Sequence, residues 1–166
     1  IQVQSSKLTL KLNLNKLVVF IFLSVIAYFS YDKYALHRGE QVETSKFILT
    51  PQVNDIYFLD ARLLNETLIN DIVVTGALES KHKYKLAKVL RVTDDNLVVV
   101  YGKVFYQWKN SVVNSIQYGD LNNDYFRLIP NYIPLSEIQE MGSTGAVYLI
   151  KRPNKNKLYG SFIGLN

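Results

Sequence analysis

Three observations predict an α+β chain, mainly β, in which one N-terminal membrane helix precedes a small, strongly bent β domain with short helical insertions. Residues 17–31, LVVFIFLSVIAYFSY, carry no charge and are closed by Lys16 and by Asp32-Lys33. From residue 51 onward, short apolar or alternating segments follow one another between turn residues, and the pair at 83–108 is the clearest. The chain also has no cysteine, which excludes disulfides, thiolate metal sites, a cysteine nucleophile and a lipid-bearing cysteine anchor.

Residues 1–16 read as a basic cytoplasmic leader. Within it Leu8, Leu10, Leu12 and Leu14 alternate with Lys7, Thr9, Lys11, Asn13 and Asn15. That is a strand period, but it falls in a terminal segment of the kind usually left poorly ordered. The apolar run follows. Fifteen helical residues rise about 22 Å, short of the ~30 Å hydrocarbon core, so the anchor is extended to residues 17–34. Leu17, Phe20, Phe22 and Ile26 then face lipid. Tyr28, Tyr31 and Tyr34 form an interfacial aromatic belt, and Lys16 and Lys33 snorkel.

Two other readings compete. A cleaved signal peptide could end near Val25-Ile26-Ala27, although the apolar character runs on through Tyr31. A buried core helix would have no polar face. Lys7, Lys11 and Lys16 precede the run with no acid among them, while Asp32 and Glu40 offset Lys33 and Arg38 after it. The excess of Lys marks the cytoplasmic side. This places the C-terminal part outside, in the periplasm if the source is bacterial.

The same lysines account for most of the net charge of +5. With those three set aside, 16 basic side chains face 14 acidic ones, a net of +2. A nucleic-acid domain would carry a basic stripe on its folded part, so nucleic acid is not expected as a partner.

Residues 35–50 read as a polar connector, with a short strand at 45–49 before Pro51. Residues 51–166 are the β-rich domain. Asp55 to Asp60, DIYFLD, is an apolar run of strand length. Residues 61–82 are an excursion, with weak helical spacing at Leu63, Leu64, Leu68 and Ile69 and a β-branched stretch at 72–75. Residues 83–93 alternate, with Tyr84, Leu86, Lys88, Leu90 and Val92 on one face. Lys83, Lys85, Ala87, Val89 and Arg91 lie on the other. Asp94-Asp95-Asn96 makes the turn, and 97–108 is the return strand, bent at Gly102. A short helix at 111–117 stops at Gly119, and a strand at 125–129 ends at Pro130. A helix follows from Pro134 to Gly142. Segments 146–151 and 158–163 close as a hairpin around RPNKNK.

Pro51, the Asp-led strand Asp55-Ile-Tyr-Phe and the long hairpin beginning Tyr84-Lys-Leu resemble the segment order of small SH3-like barrels over about 50 residues. The resemblance implies a barrel or bent sheet, and such folds host many functions.

No catalytic, metal or cofactor site is expected. Asp120-Leu-Asn122-Asn-Asp124 begins like a calcium loop, but Tyr125 and Asn131 stand where glycine and a bidentate glutamate are needed. His37 and His82 lack partners at zinc spacing. His82 near Ser80 has no oxyanion motif, and exposed loops are the simpler reading for both histidines. Asn65-Glu-Thr67 is a chance-level glycosylation sequon. Gly142-Ser-Thr-Gly145 is explained as a helix end and turn rather than an anion nest.

The candidate binding surface is Lys83, Lys85 and Arg91 with Tyr84 and Trp108. A solvated strand face is the competing reading. The expected function is a non-enzymatic, membrane-anchored protein-interaction domain, serving as an accessory subunit or assembly factor of an envelope complex. The alternatives are a binding module for a polyanion or cell-wall polymer, and an enzyme without a familiar motif.

Overall fold

The computed structural model describes residues 14–72, 79–121 and 124–164. The leucine alternation at 7–15 and the β-branched stretch at 72–75 lie almost wholly outside these residues, as do Lys7 and Lys11. The chain divides into two units, Ile1–Gly39 and Glu40–Asn166.

The first unit holds most of helix α1, Leu14–Leu49. Every residue from 16 to 39 is exposed, including Leu17, Phe20, Phe22, Ile26, Tyr28 and Tyr31. α1 is long and apolar enough to cross a membrane, which the segment Lys16–Leu49 satisfies by length and hydropathy.

The second unit begins within the same helix. The expected strand at 45–49 is helical instead, and α1 runs without a break to Leu49. Pro51 then disfavours helical backbone at the residue before it. The rest is a five-stranded antiparallel sheet of order β4-β3-β2-β1-β5. Its strands are β1 Ile56–Asp60, β2 Tyr84–Val92, β3 Asn96–Tyr101, β4 Asn131–Pro134 and β5 Val147–Lys151. β2 and β3 form a hairpin where one was expected, closed by Thr93, whose hydroxyl and amide both bond Asn96, but β3 ends at Tyr101 rather than at Trp108, and beyond it only Tyr106 bridges back to Tyr84. Among the described residues β4 and β5 pair with each other nowhere, so the sheet is open and no closed barrel forms. The expected SH3-like closure is not found.

Both faces of the sheet are covered. On one lie Tyr57, Leu59, Ala87, Val89, Leu97, Val99 and Ile150, packed under α2 (Glu66–Ile72), α4 (Leu135–Thr144) and the α1 residues Phe47 and Ile48. On the other, Ile56, Phe58, Leu86, Val100 and Leu149 meet α3 (Lys109–Gln117) through Val112 and Ile116. A sheet buried on both sides needs strands apolar at nearly every position, and all five residues of β1 are buried.

Several boundaries depart from expectation for identifiable reasons. α4 runs past Gly142 to Thr144, and Gly145, at φ +79°, is its left-handed cap. Gly142 sits inside the helix, where a Cβ would collide with Ile48 of α1. α2 starts because Asn65 accepts the Leu68 amide through its side chain, a helix cap. The sequon asparagine is therefore a structural residue, whose amide also donates to Glu137. The C-terminal segments do not form a hairpin with β5. β6 (Lys157–Leu158) and β7 (Ser161–Phe162) pair with each other, around Tyr159 and Gly160, both at positive φ, and Lys157 also bridges Asn154.

Candidate functional site

The two edges of the sheet are finished differently. At β5 the α1 end closes the edge: the buried Ile150 amide donates to Thr44 Oγ1 at 3.1 Å. Lys151 Nζ pairs with Glu40 at 3.0 Å and with Glu43 at 3.7 Å. Arg152 grips the fully buried Asp55 carboxylate with two bonds of 2.7 and 2.8 Å and also donates to the Thr50 carbonyl.

At β4 no strand of the described residues pairs with the outer edge. The Arg127 amide bonds the Tyr101 carbonyl, and Asn131 pairs with Val99. Between those pairs β3 has one residue, Val100, whereas the opposite strand has three, Leu128, Ile129 and Pro130. The surplus bulges outward. Leu128 is 94% exposed, Ile129 63% and the neighbouring Tyr132 61%. The expected strand at 125–129 is thus a single bridge at Phe126, and Pro130 precedes the true strand rather than ending one. The Leu135 amide bonds back to Asp95, so by antiparallel alternation Leu135, Ile133 and Asn131 face β3 and the Tyr132 backbone points away from the sheet.

The sequence-derived binding residues do not assemble. Lys85 is fully buried, and Tyr84 is nearly so. Lys85 belongs to the covered face beside Leu59, with Nζ 3.6 Å from the Phe105 ring centroid and no hydrogen-bond partner among the described residues. Burial, and secondarily the charge of Arg127, pull its amine down to about 7. Lys88, on the opposite face, is also buried and donates to the Gly164 carbonyl; burial lowers it as well. Arg91 is exposed at the far end of β2. The competing solvated face of 83–91 fails at Lys85 and Lys88, both buried, and holds at Arg91.

What remains near Lys83 is small. Its amine lies 5.3 Å from the exposed Trp108 ring, and Lys109 sits 4.4 Å from the Tyr148 ring. Arg62 is held by Asp60 through bonds of 2.8 and 2.6 Å and by the Tyr84 hydroxyl. Burial would raise the Asp60 carboxyl, but the Arg62 bonds outweigh it and hold it below its ordinary value.

A polar chain that the sequence did not flag runs beside α3. Ser115 Oγ donates to Asp120 Oδ2 at 3.0 Å, Tyr106 donates to Ser115 at 2.8 Å, and the Tyr125 hydroxyl lies 2.9 Å from that of Tyr106. With Tyr106 spending its proton on Ser115, Tyr125 is the donor in the last bond, so all three hydroxyls point toward the carboxylate. Burial, then the neighbouring Tyr106, pushes the Tyr125 phenol well above its ordinary value. Gly102 makes room for this ring, since a Cβ there would lie 2.5 Å from Tyr125 Cε1. The spacing from 106 to 125 has no period that would reveal the chain.

Two expected weak candidates have local explanations. The His82 ring stacks on Phe105, and its Nδ1 accepts the Glu79 amide, so it holds a turn rather than activating Ser80. In the calcium-like loop Asp120 is bonded to Ser115, and residues 122 and 123 lie outside the described ones. Among the described residues no three His, Asp or Glu side chains gather as metal ligands.

No protein-family model, no curated protein and no solved structure matches this chain.

Proposed function

We propose that the chain is a membrane-anchored accessory domain that docks another envelope protein along β4. The observation that carries this reading is the bulge of Leu128, Ile129 and Pro130 beside an open strand edge. Exposed apolar clusters next to unpaired backbone are a recurring protein-docking feature, and a bulge at a sheet edge re-aims side chains outward. The partner is a protein segment that lies alongside Tyr132 and covers Leu128 and Ile129.

The helix at the N-terminus supports the anchoring, and the lysines before it support a cytoplasmic N-terminus with the β domain outside. Reporter enzymes fused after residue 166 test the orientation. Activity confined to an extracytoplasmic reporter is expected, and activity of a cytoplasmic one would overturn it. The docking is tested by purifying the intact chain in mild detergent. A stoichiometric partner that is lost from Leu128→Asp/Ile129→Asp but kept by a well-folded Arg91→Glu control is expected. A partner retained by the double variant would overturn the β4 assignment. The polyanion reading is weaker, because it now rests on Lys83, Lys109 and Trp108 alone.

A further inference from the structure

The outer edge of β4 carries a backbone pattern that limits what can pair with it. Asn131, Ile133 and Leu135 turn their backbone groups toward β3. A trans peptide holds its C=O and N–H on opposite sides. The Pro130 carbonyl and both the N–H and C=O of Tyr132 therefore point outward. Pro134 is the next outward position, and its carbonyl opens the ladder of α4, which it caps. Three successive outward positions, 130, 132 and 134, thus hold two prolines, half of the four in the chain. Proline has no N–H, and its ring stands where that hydrogen would be. The edge offers one donor, at Tyr132, and two acceptors, at Tyr132 and Pro130. No described strand bonds Tyr132 from this side.

This pattern discriminates between occupants. Two copies of β4 laid antiparallel bring one donor each, so every register makes two backbone bonds at most, with proline rings on both sides of Tyr132. A segment of another chain with ordinary amides can make three. It exchanges two bonds with Tyr132 and donates one to the Pro130 carbonyl. Its carbonyls opposite the prolines find no donor, so two-way pairing is one residue wide. The flanks must then be held by side chains, and Leu128 and Ile129 stand exposed beside them.

We propose that Pro130 and Pro134 bar β4 from pairing with a second copy and reserve it for a short extended segment of a different protein, which exchanges hydrogen bonds with Tyr132 and donates to Pro130. The identity of the occupant rests on the docking reading above; the bar to self-pairing does not.

The chain has no cysteine, so Tyr132→Cys supplies its only thiol. Directly opposed Cα atoms in a hydrogen-bonded antiparallel pair lie about 5.5 Å apart, within disulfide reach. The intact chain carrying Tyr132→Cys is oxidised in mild detergent with and without Pro130→Thr/Pro134→Thr, which gives each copy three outward donors and keeps a good helix cap at 134. The native prolines should leave the chain uncrosslinked, and the threonine pair should make the disulfide dimer the main species, with unchanged circular dichroism. An exposed thiol off the strand, Ser136→Cys, should gain no dimer from the same change. In the chain with both prolines and Tyr132 intact, the Tyr132 amide should exchange freely alone and be protected in the copurified complex. A Tyr132→Cys disulfide with the native prolines, no disulfide from the folded threonine pair, or a partner that leaves Tyr132 exchange unchanged would overturn the proposal. Absence of any copurifying protein would overturn the docking reading and with it the occupant, while the disulfides decide the role of the prolines by themselves.

Discussion

The two edges of the sheet solve the same physical problem in opposite ways. A strand edge presents unpaired amides and carbonyls that invite another chain. At β5 the α1 end answers them from within: Thr44 takes the Ile150 amide, and Arg152 ties β5 to the buried Asp55 beside β1. At β4 four residues form the strand, and the chain beside it throws Leu128 and Ile129 outward. Covering one edge and leaving the other unpaired by any described strand, with apolar side chains beside it, separates the two roles. One edge is tied to the α1 end, and the other is where the docking proposed above would place a partner segment.

Substitutions at the two edges should therefore differ in what they damage. The largest effect is expected at the covered edge. Arg152→Met strands the Asp55 carboxylate inside and should cost about 3–5 kcal/mol in chemical denaturation. An unchanged midpoint would dissolve the distinction.

Lys85, in the central strand, is a control that touches neither edge. Its amine is ordinarily near 10.5 and is lowered to about 7 in the fold. Between those pH values the unfolded chain binds more protons, so stability should rise with pH across that window and be flat below it. Lys85→Met should remove this slope and leave the domain about 1–4 kcal/mol more stable at neutral pH. A slope that survives would show that another group titrates there.

A smaller loss is expected from Thr44→Val, which leaves the buried Ile150 amide unpaired at about 1–3 kcal/mol. Faster hydrogen exchange at Ile150 would locate that effect on β5. The smallest stability change is expected at the β4 edge. Leu128→Asp should shift stability by no more than about 0.5 kcal/mol, as exposed sites do, while abolishing partner retention.

The sequence carried the sheet's centre better than its edges. DIYFLD and the β2–β3 hairpin as far as Tyr101 were legible because length, β-branching and an Asp-Asp-Asn turn are local signals. The inward lysines were not, because alternation distinguishes two faces without saying that both are covered, and Lys85 and Lys88 then read as solvated. The helical residues 45–49 were lost for a similar reason: Phe47 and Ile48 are apolar because they dock on the sheet, not because they belong to it. β4 was misplaced because Pro130 reads as a terminator, whereas here it ends a bulge whose register depends on β3. The Tyr125–Asp120 chain had no signal, since its parts meet only once the sheet and α3 are packed. The exposed apolar helix, by contrast, was plain from composition alone.

The most direct test of the account is site-specific photo-crosslinking of the intact chain in the membranes of its own cells. A photoreactive residue is placed in turn at Leu128 and, on the covered edge, at Glu43. The account predicts a discrete protein adduct from position 128 and none from position 43. Equal adducts from both positions, or an adduct from 43 alone, would contradict it.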